Sequence, residues 1–257
     1  MDILVTVLAR AGSKGVKSKN MRTFLDYPIA YYTLSALDLF KARYSKEYGA
    51  VDLAVNTDAD ELFEQIDKTK LSCIKVPRTL ELAGDRVSKI DVVRDTLAKA
   101  EKVSHKKYDM VVDMDLTSPL RRARDVKNVI DSLMAHKNAE IALSVTPARR
   151  NPYFNQLALM PDGLAKTPIE SDFVARQQAP EIFDANASLY AYRPQFLAST
   201  DTILIKSKLC LSVMPDTAVL DIDSEHDFEL MQILARYFFE SDEEFGEIRE
   251  NIKRIMK

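Results

Sequence analysis

The stretch DILVTVLARAGSKGVKSKN, residues 2–20, joins an apolar run to a loop rich in glycine and positive charge. The run at residues 2–9 is continuous and rich in β-branched side chains, which is typical of a strand buried on both faces of a parallel sheet. The loop that follows contains two glycines, Gly12 and Gly15, and several cationic residues, among them Arg10, Lys14 and Lys19. The stretch therefore predicts a buried strand that ends at a cationic loop with a permissive backbone.

This loop has the physical properties of a polyphosphate cradle, although it matches neither common nucleotide-binding motif. It lacks the Gly-Lys-Ser or Gly-Lys-Thr of a P-loop, and its two glycines are too few for a dinucleotide fingerprint. Glycines let backbone N–H groups approach an anion, and an arginine can bind two phosphate oxygens at once. For the loop taken alone, a solvated basic turn remains the alternative.

Short apolar runs alternate with helical periodicity along most of the chain. Strands are predicted at 2–9, 51–58, 71–77, 108–116, 139–148, 188–194, 208–215 and 219–223. Helices are predicted at 28–43, 59–68, 88–103, 122–137, 224–241 and 243–257. This order predicts an α/β fold, in which helices cover both faces of a mostly parallel sheet.

The alternation breaks at residues 149–187. Five of the ten prolines lie between residues 147 and 180, and the periodicity weakens there. We therefore predict an α/β domain formed by residues 1–148 and 188–257, with 149–187 as a small inserted lobe.

Composition and charge narrow the function classes. The chain has 257 residues and a formal net charge of −3, so the basic loop is a local feature and nucleic acid is not expected as a partner. Cys73 and Cys210 lie in apolar runs and are predicted to be buried, reduced thiols. No basic region precedes the first apolar run and no run approaches the ~20 apolar residues of a membrane span, so a soluble cytoplasmic protein with no membrane partner is expected.

Polar residues follow several of the predicted strands. In open α/β sheets, ligands bind beyond the carboxyl ends of the strands, so one cleft is expected to hold these side chains. They include Asp113, Asp115, Thr117 and Ser118 near the end of the 108–116 strand, and Asp221 and Asp223 in the last strand. The last pair alternates with Ile222, which would place both carboxylates on one face as a metal site. Capping of the next helix by Asp223 or Ser224 is the alternative.

Five ordered blocks, spread over most of the chain, carry a family resemblance. They are LARAGSKGVKSKN (8–20), RTLELAGDRVSKIDVV (78–93), DLTSPLR (115–121), ARQQAP with NASLY (175–180 and 186–190) and DIDSEHDFE (221–229). Together they resemble the acylneuraminate cytidylyltransferases, or CMP-nonulosonic acid synthetases. The resemblance implies a three-layer, Rossmann-like nucleotidyltransferase fold. It also implies transfer of CMP from CTP to the anomeric hydroxyl of a nine-carbon 2-keto sugar acid, with release of pyrophosphate.

The resemblance also implies roles for individual residues. Catalytic roles are implied for Arg10, Lys19, Asp221 and Asp223, of which the two aspartates would bind Mg²⁺. CTP would be bound by Leu8, Ala9, Arg10, Gly12, Ser13, Lys14, Lys19, Asn20, Arg78, Ala83 and Ser88. The sugar acid would be bound by Asp115, Thr117, Ser118, Arg176, Gln177, Asn186 and Tyr190. The family's equivalent of the lobe reaches over a neighbouring subunit, which implies a homodimer with sites near the interface.

The chain departs from the family pattern on the sugar side. Asp115 stands where sialic acid synthetases usually have glutamine, Ala187 where glycine normally follows the motif asparagine, and Asp184 where a basic residue is expected. Asp115 would then accept hydrogen bonds from a different acyl-amino pattern or serve as a further metal ligand. These departures favour a relative of sialic acid, such as legionaminic or pseudaminic acid. A CMP-Kdo synthetase and a non-catalytic CTP-binding protein are the alternatives.

Overall fold

The structure is a computed structural model that describes residues 1–12, 16, 18–84, 87–199, 203–215, 218 and 221–257. Its strands are β1 (Ile3–Leu8), β2 (Thr23–Phe24), β3 (Tyr27–Pro28), β4 (Val51–Thr57), β5 (Ile74–Pro77), β6 (Met110–Met114), β7 (Ile141–Pro147), β8 (Ala158–Leu159), β9 (Ala165–Lys166), β10 (Phe183–Tyr192) and β11 (Leu209–Val213). Its α-helices are α1 (Ile29–Tyr44), α2 (Asp60–Asp67), α3 (Lys89–Ser104), α4 (Ala123–Ala135), α5 (Pro194–Ala198), α6 (Glu225–Ser241) and α7 (Glu243–Ile255).

Seven strands form the central sheet in the order β11-β7-β10-β6-β1-β4-β5. β10 runs antiparallel to both of its neighbours, and the other neighbouring pairs are parallel. This confirms the predicted mostly parallel α/β sheet. The chain moves outward from β1 to β4 and β5, and then returns to the other side of β1 with β6. The strand order therefore reverses between β1 and β6, and such a reversal opens a crevice at the carboxyl edge of a sheet.

The apolar run that opens the chain is buried on both faces, as predicted. Ile3, Val5 and Val7 belong to the core cluster shared with α1, α4, α6 and α7, whereas Leu4 belongs to the cluster shared with α3. Alternate side chains of a strand point to opposite faces, so β1 contributes to both layers of the core. Its position beside β6, where the strand order reverses, places its carboxyl end at the crevice.

The strand predicted at 188–194 begins earlier, at Phe183, and it contains an irregularity. Its pairing with β7 shifts register between Ala185 and Tyr190, which marks a β-bulge. Ala187, inside the bulge, has a φ of 54° in the left-handed region. A bulge adds a residue without ending the strand, which explains why the alternating pattern is lost there.

The strand predicted at 219–223 is wrong for the residues that the structure describes, because Asp221 to Asp223 form no strand. Residues 219 and 220 lie outside the described part of the chain. Ile222 is buried in the core, but the backbone is bonded by side chains instead of by a neighbouring strand. The Asp223 N–H donates to Asp227 Oδ2 at 3.2 Å, and Ser224 forms a capping box with Asp227. The segment is thus the approach to α6, with Ser224 as the helix cap.

Residues between β7 and β10 contain two short strands, β8 and β9, that pair with each other. The Ala148 N–H donates to the Ile182 carbonyl oxygen at 2.9 Å, so the two ends of this excursion meet next to the sheet. Several large apolar side chains of the excursion are exposed, namely Leu157, Leu159, Leu164, Ile169 and Val174. Among the described residues, no helix is long and apolar enough to span a bilayer.

Candidate active site

A cavity of about 370 Å³ lies at the carboxyl edge of the sheet, over the reversal point. Its lining comes from the loops after β1, β5 and β6, from the start of α3, from the β10 bulge and from the approach to α6. The residues are Leu8, Arg10, Lys19, Asn20, Arg78, Leu82, Gly84, Val87, Lys89, Val92, Asp115, Thr117, Ala187, Asp221 and Asp223. Of the strand-end residues expected in one cleft, Arg10, Asp115, Thr117, Asp221 and Asp223 line this cavity, whereas Asp113 and Ser118 are not among the described residues that line it.

The loop after β1 is supported from below by polar residues of β4. The Ala9 N–H donates to the Asn56 carbonyl oxygen at 3.0 Å, and the Ala11 N–H donates to Asp58 Oδ1 at 2.7 Å. Asn20 is buried and donates to the Arg10 carbonyl oxygen at 3.3 Å. The loop thus has fixed ends on both sides. At Gly12, no described atom beyond its chain neighbours lies within 4 Å of the position that a Cβ would take. Ser13 and Lys14 lie outside the described residues.

Arg78, just after β5, lines the cavity on the same side as the loop after β1. Its Nε donates to Asn56 Oδ1 at 2.7 Å, and a terminal nitrogen donates to the Asn56 carbonyl oxygen at 3.1 Å. Burial lowers the pKa of Arg78 from its ordinary value. The guanidinium is therefore held in one orientation by a neutral partner, and its positive charge remains available to an anion. Ala83 and Ser88 flank this half of the cavity, where Ser88 caps α3.

Lys19 connects the first loop to the approach to α6. Its Nζ donates to the Ile222 carbonyl oxygen and lies 3.3 Å from Asp223 Oδ1. The Lys19 side chain is only 15% exposed, whereas that of Asp223 is 77% exposed. Burial raises the pKa of Asp221, and the nearby Asp223 carboxylate raises it further. Asp221 and Asp223 thus form a carboxylate pair at the cavity, whose mutual repulsion a cation would relieve.

The chemistry of this donor set fits a magnesium ion. Mg²⁺ binds to one or two protein carboxylates and completes its coordination with phosphate oxygens and water. Among the described residues, no group of three or more His, Cys, Asp or Glu side chains is arranged to hold a metal. Asp221 and Asp223 therefore suit an ion that arrives with a polyphosphate, and they do not form a complete protein cage.

The other half of the cavity is built on β6 and β10. Asp115 Oδ1 accepts hydrogen bonds from the Thr117 N–H at 2.9 Å and from Thr117 Oγ1 at 2.7 Å. Burial acts to raise the pKa of Asp115, but the Lys89 charge and the Thr117 hydrogen bonds lower it to about 2. Asp115 is therefore a carboxylate over the whole physiological range. Tyr190 is buried beside it in β10.

Lys89, to which the sequence motifs gave no role, lines the cavity at the first turn of α3. Its Nζ lies 3.1 Å from Asp113 Oδ2 and 3.1 Å from Asp115 Oδ2. Burial lowers the pKa of Lys89, but the two carboxylates more than offset this and raise the pKa well above its usual value. A lysine in the first turn of a helix opposes the helix dipole. That conflict was a signal in the sequence that Lys89 has a partner elsewhere.

Arg121 was also unassigned, and it braces the loop after β6. It is 1% exposed and donates to the carbonyl oxygens of Asp115, Ser118 and Ser188. Burial lowers its pKa to about 10, so the guanidinium is still charged at neutral pH. Arg121 thereby fixes the loop that carries Asp115 against the β10 bulge. The Ser118 side chain is buried beneath this loop.

Asn186 supports the bulge from inside the core. It is 2% exposed, and its Oδ1 accepts a hydrogen bond from Ser144 Oγ at 2.6 Å and one from the Ser188 N–H at 3.3 Å. Its neighbour Ala187 lines the cavity with a left-handed backbone. The family's usual glycine at this position has a physical reason, since glycine adopts such a backbone without steric cost.

Arg176 and Gln177 are not brought into the cavity. They lie in a short 3₁₀ helix, Arg176–Gln178, of the excursion between β7 and β10, and both are exposed. Neither is among the described residues that line the cavity of this chain. Asp184 is half-buried in β10, where it pairs with Thr146 of β7.

Comparison with known proteins places this geometry in a family. A family model described as "Cytidylyltransferase" matches residues 4–244. The chain is 34% identical over 233 residues to the CMP-N,N'-diacetyllegionaminic acid synthase of Campylobacter jejuni, covering 91% of this chain and 94% of that protein. It is 32% identical over 235 residues to the post-translational flagellin modification protein B of Campylobacter coli, covering 91% and 95%. A solved structure of CMP:2-keto-3-deoxy-manno-octonic acid synthetase complexed with CTP has the same fold, with a TM-score of 0.64 at 14% identity over 92% of this chain and 99% of that one.

Proposed function

Because the chain belongs to the cytidylyltransferase family, we propose that it transfers CMP from CTP to the anomeric hydroxyl of a nine-carbon 2-keto sugar acid, and releases pyrophosphate. The acid is of the sialic, legionaminic or pseudaminic type. Within this class we expect a legionaminic-type acid to be preferred, in line with the 34% identity to a synthase named for that product. Asp115, in place of the usual glutamine, agrees with an acceptor other than sialic acid itself.

One observation carries the proposal: the cavity has a cationic end and an end suited to a polar acceptor, with the carboxylate pair beside them. Arg10 and Arg78 follow β1 and β5, whereas Asp115 follows β6. From β5 to β10 the sheet spans four strand spacings, or about 19 Å, which accommodates a nucleotide and a sugar side by side. The strand order therefore supports a proposal in which the triphosphate and base bind on the β1–β5 side and the acceptor on the β6–β10 side.

The reaction is an in-line displacement at the α-phosphorus. The anomeric hydroxyl oxygen of the acceptor bonds to that phosphorus and loses its proton to solvent, and the bond from phosphorus to the α,β-bridging oxygen breaks, so that pyrophosphate leaves. Arg10 and Lys19 balance the negative charge of the phosphates, and Arg78 holds the nucleotide end. Because Asn56 holds the Arg78 guanidinium through two hydrogen bonds, the orientation of that charge is set before the nucleotide binds.

We include Mg²⁺ in the proposal, with Asp221 and Asp223 as the residues that would hold it. When bound, such an ion neutralises phosphate charge and lowers the pKa of an oxygen that it contacts. Lys19, paired with Asp223 at 3.3 Å, would then exchange that carboxylate for a phosphate oxygen.

We also propose a homodimer in which residues 149–187 form the dimerisation and sugar-binding lobe. Leu159 and Val174 of this lobe are 79% and 89% exposed, so both apolar side chains are available to a partner surface. Arg176 and Gln177 lie in the same lobe and away from their own cavity, so the partner's cavity is the site they would complete. A cytoplasmic location is proposed as well, because CTP is made and used in the cytoplasm.

The test is pyrophosphate release from CTP and Mg²⁺ with purified protein. N-acetylneuraminic, legionaminic, pseudaminic and Kdo acids are supplied separately, with a reaction lacking sugar as the blank. Release with one or more nine-carbon acids, well above the blank, is the expected result. Release with Kdo alone would favour the eight-carbon alternative. CTP binding by calorimetry without release from any acid would favour a non-catalytic CTP-binding protein.

A further inference from the structure

We propose that Lys89 is a positioning residue that determines acceptor specificity, because its ammonium group orients the Asp115 carboxylate toward the sugar acid. The inference rests on the function proposed above. It concerns a residue to which the motif comparison gives no role.

The Lys89 ammonium lies at the junction of β6 and β10. Its Nζ is 3.1 Å from one oxygen of each of two carboxylates, Asp113 Oδ2 and Asp115 Oδ2, and it lies 4.7 Å from the centre of the Tyr190 ring. A cation over an aromatic face is attracted to it. Lys89 is thus held from three directions by residues of the acceptor half of the cavity.

The hydrogen bonds around Asp115 leave one position at which its carboxylate can accept a further hydrogen bond. A carboxylate offers about four lone-pair sites. The two Thr117 hydrogen bonds fall on Oδ1, and Lys89 donates to Oδ2 at 3.1 Å. Among the described contacts, this leaves room on Oδ2 for one more donor from the cavity. An N–H of an acyl-amino group or an O–H of the sugar fits that position.

Lys89 also offsets the repulsion between two neighbouring carboxylates, those of Asp113 and Asp115. Asp113 is 1% exposed, and Thr6 Oγ1 donates to its Oδ1 at 2.8 Å. Without a cation, Asp113 and Asp115 would repel each other, and Asp115 would turn toward water. The shared lysine offsets this repulsion and holds Asp115 in place. If Lys89 only neutralised Asp113, the effect of replacing Lys89 on the KM for the sugar acid would not depend on whether Asp115 is present. A double-mutant cycle measures this dependence.

A double-mutant cycle separates the two roles. The variants are Lys89→Met, Asp115→Asn and the double variant, with kcat and KM measured separately for CTP and for the preferred sugar acid. We expect Lys89→Met to raise the KM for the sugar by about tenfold, as for loss of one hydrogen bond to a charged group, with the KM for CTP nearly unchanged. In the Asp115→Asn background, the same change should have little further effect on the sugar KM.

Lys99→Met is the matched control, since Lys99 lies on the same helix and pairs with Asp95 at 2.8 Å, outside the cavity lining. It should leave both KM values unchanged. Lys89→Gln is made in parallel, because it keeps a donor beside the buried Asp113 if the methionine variant folds poorly. Equal effects on the two KM values, or additive effects of Lys89 and Asp115, would overturn the inference while the proposed function stood. A wild-type protein inactive with every acid would overturn the proposed function and this inference with it.

Discussion

Lys19 Nζ lies 3.3 Å from Asp223 Oδ1, so the loop after β1 and the approach to α6 are joined across the mouth of the cavity. Two residues with opposite proposed tasks, one for phosphate and one for a cation, are therefore neighbours within a single site. Each balances the charge of the other until a substrate replaces the pairing. The first two predictions test this relationship from its two sides.

Replacing Asp223 should abolish most of the activity and leave the fold intact. Asp223→Asn removes one carboxylate of the proposed magnesium pair, so we expect turnover to fall by about 100-fold or more. The side chain is 77% exposed, so the melting temperature should stay close to that of the wild type. Rates of pyrophosphate release and thermal melts measure both effects, with the exposed Glu229→Gln on α6 as the control. Wild-type turnover in Asp223→Asn would remove Asp223 from the site.

Replacing Lys19 should weaken CTP binding selectively. Lys19→Met removes a cation that faces the triphosphate, so we expect the KM for CTP to rise by about tenfold or more. The KM for the sugar acid should change much less. Steady-state kinetics with each substrate varied in turn give both constants, and Lys46→Met, an exposed lysine after α1, is the control. An unchanged CTP KM would count against the phosphate role.

A mixing experiment tests whether sites are shared between two chains. Asp223→Asn and Arg176→Ala are each expected to be nearly inactive. When equal amounts of the two variants are mixed and the subunits re-equilibrate, half of the dimers contain one chain of each variant. If Arg176 completes the partner's site, each of these mixed dimers has one intact site. Activity should therefore recover to about a quarter of the wild-type value. If Arg176 served its own chain, the mixture would stay as inactive as its components, and sedimentation velocity would check the dimer itself.

Ala187→Gly should stabilise the protein. Ala187 has a φ of 54°, and a left-handed backbone costs a non-glycine residue roughly 1–2 kcal/mol, which exceeds the entropy cost of glycine. We expect a gain of about 0.5 kcal/mol in the free energy of unfolding by urea. Ala185→Gly is the matched control in the same strand, where φ is not positive, and it should destabilise. Equal losses in both variants would mean that the bulge does not strain Ala187.

Asp115 should contribute acid-dependent stability. Its pKa in the folded protein is about 2, below the ordinary value of 3.8. A lowered carboxyl pKa stabilises the folded state above the ordinary value, and this contribution is lost as pH falls through the folded value. We therefore expect the unfolding free energy to lose about 2 kcal/mol more in the wild type than in Asp115→Asn between pH 4 and pH 2. Urea titrations at stepped pH measure the difference, with the exposed Asp131→Asn as the control. Parallel pH curves for the wild type and Asp115→Asn would contradict the prediction.

Much of the fold follows from local patterns in the sequence. The run at residues 2–9 has no polar face, which matches a central strand such as β1, and the helical periodicity of 88–103 matches α3. The predicted strand was wrong at Asp221–Asp223. A short alternation of apolar and acidic residues occurs both in strands and in segments whose backbone bonds to side chains, here those of Lys19 and Asp227. That distinction depends on tertiary contacts.

The candidate site was also predicted only in part, because some of its residues are placed by local pattern and others by contacts between distant parts of the chain. Arg10, Arg78 and Asp115 line the cavity as expected, because each closely follows a strand that ends at the same edge, and Lys19 lines it from the far end of the loop after β1. Lys89 was missed because its partners, Asp113 and Asp115, lie some 25 residues away along the chain, beyond any spacing rule. The role proposed for Arg176 would depend on a second chain, and the periodicity of one chain holds no information about such a role.

The hydrogen bond between Ala148 and Ile182, 2.9 Å long, has an evolutionary consequence. The excursion leaves β7 and enters β10 at adjacent points, so insertions and deletions within it need not alter the pairing of those two strands. Loop length also costs little free energy once the ends are held together. Changes in the length of this segment can thus leave the strands that carry the cavity in place.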